Sequence, residues 1–446
     1  MERAFTLETR LQKKDIDYFQ EFIAYYSKIS RRVYQDFKHG YNILSPKYIS
    51  DLQSNYTILK RTANSIVRNI YGRIKALINL QKLQYNNNLQ KLKSLESSIE
   101  ELNNKILKLN KKINKDSNNK TLNIKYKNLK SRRWSLKNKL NKLKIRVNNY
   151  LKQDANTINI CFGSKKLFKA QFHLKENGFK THEAWLNAYR RSRDSFIRYL
   201  GASNETSGNQ LFQIKYNEST DDFSFKIRKE KQYESNGEYL TLDHINFKYK
   251  KDLLKSLLQY QPSLTYQILR RGRNKWYLQV SFSCDFPVKT TRDQGCLGID
   301  FNSGFLAITE TNHHGNLIKQ FIQPLFYHGK GRRGKQELQE TIKTLVKYSK
   351  YKRKSIVIED LDFNKKKSKT ISKENKQYNR MIHTLDYSRF TEVVTNTSIP
   401  YGVQLIKVNP AYTSIIGREK YATPMKLNTH IAASYVIARR GQGFRD

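Results

Sequence analysis

The sequence predicts a multidomain α+β protein: a β-barrel carrying an inserted helical, coiled-coil lobe, followed by an α/β domain. Three observations carry this. Leucines and isoleucines step by three and four between residues 91 and 151, the spacing of a helical seam. Short runs of alternating apolar residues flank the helical block on both sides, the period of half-buried strands. From residue 291 onward apolar strands alternate with helical stretches, and two strands end in carboxylates, Asp300 and Glu359.

Residues 1–14 supply the first strand of the barrel, because Ala4-Phe5-Thr6-Leu7-Glu8-Thr9 alternates. Residues 15–155 form the helical lobe. Its first part places Phe19, Phe22, Ile23, Tyr26, Ile29, Val33 and Phe37 on one face and basic residues such as Arg31, Arg32 and Arg61 elsewhere. Its second part, 91–151, reads as an antiparallel hairpin. One seam runs through Leu92, Leu95, Ile99, Leu102, Ile106, Leu109 and Ile113. The other runs through Leu122, Tyr126, Leu129, Leu136, Leu140, Leu143 and Val147, after the polar break Asn114–Lys120. The seam serves an internal coiled coil or a homodimer contact equally well.

Residues 156–290 complete the barrel. Ile158–Phe162 alternates as a strand, a basic amphipathic helix is expected around Glu183–Tyr199, and further strands at Leu211–Tyr216, Phe223–Ile227, Tyr239–Leu242, Ser263–Arg270 and Lys275–Phe286. Residues 291–446 form the α/β domain. Its expected order is three strands, a helix near Gln336–Lys350, the Ile356–Glu359 strand, a basic segment Asn364–Asn379, a helix, the Val403–Val408 strand and a last helix at Asn428–Arg440.

Composition narrows the function. The chain has 446 residues, with 84 Lys+Arg against 38 Asp+Glu, a formal net charge of +46. Such an excess favours a large polyanionic partner. The 29 tyrosines and 22 phenylalanines supply rings for base stacking as well as for the core. Cys161, Cys284 and Cys296 form no CxxC pair, which argues against a disulfide framework or a zinc site. The N-terminus has no apolar signal region, and no apolar run reaches membrane-spanning length; a cytoplasmic, nucleoid-associated protein without a membrane partner is expected.

A strand order β-β-β-α-β-α-β-α, with Asp300 on the first strand and Glu359 on the fourth, is the layout of an RNase H-like fold. There the two carboxylates meet at one edge of the sheet, where divalent ions activate a water and stabilise a leaving oxygen. Read singly, Asp300 is a turn former and Glu359 a solvated strand end; it is their joint placement on apolar strands that points to chemistry.

The resemblance then becomes specific. Gly298-Ile299-Asp300-Phe301-Asn302, Ile358-Glu359-Asp360-Leu361-Asp362-Phe363, Tyr387-Ser388-Arg389-Phe390 and Val408-Asn409-Pro410-Ala411-Tyr412-Thr413-Ser414 resemble the RuvC domain of TnpB proteins, transposon-encoded RNA-guided nucleases related to type V CRISPR effectors. The match covers about residues 295–440. It implies a wedge barrel, a recognition lobe and a RuvC-like nuclease domain, with a guide RNA and a target DNA as partners and Mg²⁺ or Mn²⁺ as cofactor. Two departures stand out. No cysteine lies beyond Cys296, so the family's zinc ribbon is absent and no zinc is expected. The family's third carboxylate corresponds to Thr429, followed by His430.

His430 is a candidate metal ligand or water-orienting base; a histidine suits Mn²⁺ better than Mg²⁺. The competing reading makes it a first-turn helix residue with Thr429 as N-cap. Glu419 and Asp446 are weaker substitutes. The candidate catalytic and metal-binding set is therefore Asp300, Glu359 and His430. Candidate nucleic-acid contacts are Lys165, Lys166, Arg190, Arg191, Arg193, Arg270, Arg271, Arg273, Arg332, Arg333, Lys365, Lys366 and Lys367, each with a solvated basic face as its plain alternative. An RNA-guided endonuclease is the leading expectation. The incomplete third corner motivates a rival, a nuclease-dead RNA-guided DNA-binding protein; a guide-independent structure-specific nuclease is the third class.

Overall fold

The structure is a computed structural model. It describes all residues except 13–15, 117, 152–157, 204, 206–207, 273–274, 303, 326–331, 362–386 and 446. In chain order, strand β1 (Glu2–Arg10) precedes helices α1 (Asp17–Lys38), α2 (Pro46–Tyr56), α3 (Lys60–Ile113), α4 (Lys120–Leu151) and α5 (His182–Arg193). Strands β2 (Phe196–Tyr199), β3 (Phe212–Asn217), β4 (Asp222–Arg228) and β5 (Tyr239–Ile245) follow, then helix α6 (Lys251–Leu258), β6 (Thr265–Arg271) and β7 (Lys275–Asp285). The remainder is β8 (Thr291–Asn302), β9 (Phe305–Thr311), β10 (Leu317–Pro324), α7 (Arg332–Lys352), β11 (Lys354–Glu359), α8 (Tyr387–Tyr401), β12 (Leu405–Val408) and α9 (Thr429–Gln442). Contacts divide the chain into two compact units, residues 4–85 with 148–283, and residues 1–3, 86–147 and 284–446.

In the first unit, α1 buries Phe19, Phe22, Ile23, Tyr26, Ile29 and Val33, the face that its periodicity marks. The strands expected to close one barrel instead form two separate sheets, β1-β7-β6-β2 and β3-β4-β5. The reason lies at the β2 edge. Ser195 O accepts from Arg270 N at 2.8 Å, so Arg198 and Leu200 turn their backbone groups away from β6. Helix side chains satisfy those groups: Tyr26 Oη donates to Arg198 O at 3.2 Å, and Leu200 N donates to Ser65 Oγ at 3.1 Å. An edge already paired to side chains has no need of another strand. The two sheets pack through rings, with Phe212 stacked on Tyr266 at 4.6 Å and Phe225 edge-on to Tyr266 at 5.9 Å.

Two local expectations also change. The helix expected to reach Tyr199 stops at Arg193, and Phe196–Tyr199 is strand β2. Asp194 breaks the helix and the following residues gain a ladder with β6. The strand expected at Ile158–Phe162 does not form: residues 158–161 pair with no strand among the described residues; Tyr34 takes over, donating to Ile158 O at 2.5 Å and accepting from Ile160 N at 3.1 Å.

Glu230, just past β4, is fully buried. It accepts from Leu59 N at 2.6 Å and from the Thr62 hydroxyl, tying the start of α3 to β4. Burial pushes its carboxyl up to about 7, against the opposing pull of those two donors. The ordinary value is 4.5. Below that pH the group is neutral in folded and unfolded chains alike. As pH rises toward 7 the unfolded chain ionises first, so the stability supplied by neutral Glu230 is lost. Glu230→Gln, neutral throughout, is expected to gain about 3 kcal/mol on the parent across this window, at roughly 1.4 kcal/mol per unit of pKa shift. Denaturant unfolding at several pH values measures that gap; a gap constant with pH would refute the assignment.

In the second unit the hairpin forms as its seams predict. Leu95, Ile99 and Leu102 of α3 bury against Leu136 and Leu143 of α4, so the seam is occupied within the chain. The sheet order is β10-β9-β8-β11-β12, with β8 central, β9 antiparallel to it and β11 parallel. Leu297, Ile299, Ile356 and Ile358 face one core, which holds Leu338, Ile342 and Val346 of α7 and Phe390 and Val394 of α8. Val357 packs on the opposite face against Ile437 and Ala438 of α9.

Candidate functional site

Register and parity bring the two carboxylates to one place. Ile358 pairs with Ile299, so Glu359 and Asp300 are the next residues on adjacent parallel strands. Side chains alternate along a strand. Gly298 faces α9, since a Cβ there would meet Ser434 O and Ala438, and Asp300, two residues on, shares that face. Val357 lies against Gly441 and Ala438 of α9, and Glu359 follows the same parity.

The N-terminus of α9 arrives beside Asp300. Asn428 is its N-cap, accepting from His430 N at 2.9 Å, which corrects the expectation that Thr429 caps the helix; Thr429 is the first helical residue. Asn428 already has the extended backbone of a cap and Thr429 does not. His430 Nδ1 lies 3.4 Å from Asp300 Oδ2, and its ring meets Phe305 edge-on at 5.2 Å. The hydrogen bond and charge of Asp300 hold the imidazole above the ordinary histidine value, with partial burial opposing. His430 thus binds its proton more tightly than a free imidazole does.

Neighbours that the sequence left without a role orient both acids. Asn302 Nδ2 donates to Asp300 Oδ2 at 2.9 Å; the period of two in the Asp300–Asn302 run was the signal for it. Thr413 Oγ1 donates to Glu359 Oε1 at 2.5 Å. Tyr412 takes the left-handed conformation at φ 63°, turning the chain into Thr413. Arg440 clamps the same segment, donating to Asn409 O at 2.7 Å and Ala411 O at 2.8 Å. Tyr387 donates to Glu359 O, and burial raises its hydroxyl pKa, so it keeps its proton.

Hard oxygen donors on one face suit a divalent cation, and the Asp300–Glu359 pair fits in kind and in strand level. Closure by a third ligand is a different matter. No three His, Cys, Asp or Glu side chains converge on a metal position among the described residues. Glu419 pairs with Arg418 at 2.8 Å; Asp446 lies outside the described residues.

The basic candidates fare unequally. Lys165 and Lys166 are exposed in a one-turn helix, Lys165–Lys169, capped by Ser164. Arg190 and Arg191 are exposed in the last turn of α5, and Arg193 binds Asp194 at 3.0 Å. Arg270 donates to the Asp194 and Arg191 carbonyls. Arg271 forms a two-pronged pair with Glu8 at 2.8 and 2.7 Å. Arg333 is exposed in the first turn of α7. Arg273, Lys365, Lys366, Lys367 and the Arg332 side chain lie outside the described residues. Among the described residues, no helix is long and apolar enough to cross a membrane.

No family model matches the chain, and no curated protein matches it. Among solved structures, it is similar to that of the Cas12f1–sgRNA–target DNA complex, determined by cryo-EM, at 11% identity and a TM-score of 0.37, with 98% of each chain covered. A likeness of this degree assigns neither an activity nor a partner.

Proposed function

We propose that the chain is an RNA-guided DNA endonuclease of the TnpB type, cutting at a RuvC-like centre built on Asp300 and Glu359. The observation that carries this is their placement, on the same face and at the same level of adjacent parallel strands. The four matching motifs and the +46 charge support it independently. Asp300 and Glu359 would hold Mg²⁺ or Mn²⁺, which when bound lowers the pKa of an attacking water and stabilises the leaving oxygen. Asn302 and Thr413 fix the two carboxylates, and Tyr387 steadies the Glu359 backbone. Preorganisation of this kind removes the cost of orienting ligands during the reaction.

One observation favours a second reading, an RNA-guided DNA-binding protein that does not cut. Among the described residues no third His, Cys, Asp or Glu joins Asp300 and Glu359 at a metal position, and His430 is instead paired with Asp300, its Nδ1 lying 3.4 Å from Oδ2.

The test is to isolate the protein with its co-purifying RNA, sequence that RNA, and assay DNA matching its variable end in Mg²⁺ and in Mn²⁺. Cutting of matched DNA that chelation stops is the expected result. Tight guide-dependent binding without cutting in either metal selects the second reading. Cutting by protein that carries no small RNA sinks both.

A further inference from the structure

A cavity of about 920 Å³ opens within the unit of residues 4–85 and 148–283, inside the roughly 300–1,000 Å³ span of small-ligand sites. Four cations line it: Arg31 of α1, Arg73 of α3, Lys165, and Arg193 of α5. Among the described residues, one carboxylate pairs with any of them. Asp194 lies 3.4 Å from Arg31 and 3.0 Å from Arg193. Arg73 instead donates to the Cys161 carbonyl at 3.3 Å and lies over the Phe162 ring at 4.9 Å. Burial lowers the pKa of both Arg31 and Arg73, and Arg193 adds to the effect at Arg31. The cluster is short of negative charge.

The same cavity presents rings. Phe168 is 44% exposed and lies 5.9 Å from Tyr189, which in turn stacks on Trp185 at 5.5 Å. The wall is held in place: Tyr189 donates to Phe162 O at 3.0 Å, and Ser164 N donates to Ser192 Oγ at 3.0 Å. Gly163 has φ 96°, and a Cβ there would press on the Arg193 backbone at 3.1 Å, so the loop reaches α5 only because this residue is glycine. Uncompensated cations alone would suit any polyanion. Rings beside them suit a ligand with both a flat π-face and a phosphate.

We propose that this cavity receives one unstacked nucleotide, its base against Phe168 and Tyr189 and its phosphate among Arg31, Arg73, Lys165 and Arg193. The proposal rests on the reading of the chain as a nucleic-acid-binding protein and assigns that binding a defined subsite. The nucleotide belongs to RNA or to single-stranded DNA, and the test separates the two.

Phe168→Trp places an indole in the cavity of the full-length protein. Its emission, relative to the parent protein, is followed during titration with oligouridylate, oligothymidylate and inorganic polyphosphate. Binding of each oligonucleotide is measured in parallel by fluorescence anisotropy. The expected result is quenching by one or both oligonucleotides and none by polyphosphate; the oligonucleotide that quenches names the source. Phe168→Ala, at an exposed position, is expected to keep its fold and to lose about tenfold in oligonucleotide affinity, the scale of one stacked base. Saturable binding with unchanged indole emission would overturn the subsite and leave nucleic-acid binding standing. Equal quenching by polyphosphate would also overturn it. Absence of any binding by the parent protein would overturn the subsite and the wider reading together.

Discussion

Asp300→Ala is expected to reduce guide-directed DNA cleavage by roughly 10³-fold or more, the scale of losing a preorganised electrostatic group from a site. Guide-dependent binding is expected to stay at the parental level, because the basic residues proposed to contact nucleic acid lie elsewhere along the chain. Asp300 is half-buried at a strand end, so truncation opens no core cavity. Glu359→Ala should cost about as much, and the double variant little more than either single one, since two ligands of one centre act as a unit. A matched-target cleavage assay with single-turnover kinetics in Mn²⁺ measures all three. Parental cutting by Asp300→Ala would remove Asp300 from the chemistry and with it the assignment of the centre.

Gly298→Ala is expected to destabilise the α/β domain by about 3 kcal/mol or more, at or beyond the upper end of overpacking costs. An added Cβ would sit 2.1 Å from Ser434 O and 2.6 Å from Ala438 N. Both are backbone atoms of α9, whose residues Ile431–Ala438 are all buried, so relief requires the helix to move as a body. That movement would also draw His430 from Asp300. The measurement is the thermal transition of the C-terminal unit, followed together with cleavage. Adding Ala438→Gly removes only the 2.8 Å contact to a side chain and should rescue little. Full rescue by that second change would show that the clash is with Ala438 Cβ rather than with the helix backbone.

Much of the architecture was legible in the residues. Period-two runs marked the strands, seams of three and four marked the hairpin, and the alternation after residue 291 gave the order that places β8 at the centre with β11 beside it. These patterns are local, because burial of one face imposes its period on neighbouring residues. The placement of Asp300 and Glu359 on adjacent strands was legible for the same reason, each following an apolar run.

The sequence by itself therefore determined most of the elements, which of them carry acids and how large the excess of positive charge is, while missing the strand at Phe196–Tyr199. Only tertiary structure decided what meets what. It left the strands of residues 2–10 and 196–285 as two sheets, because Tyr26 and Ser65, distant in sequence, satisfy the β2 edge. It brought Thr413 to Glu359 and His430 to Asp300 across 54 and 130 positions, and assembled Arg31, Arg73, Phe168 and Arg193 around one cavity. No periodicity encodes such pairings, since each depends on how whole elements pack. For that reason the third corner of the site, a histidine paired with the acid it would need to join, could be described only once α9 lay across β8.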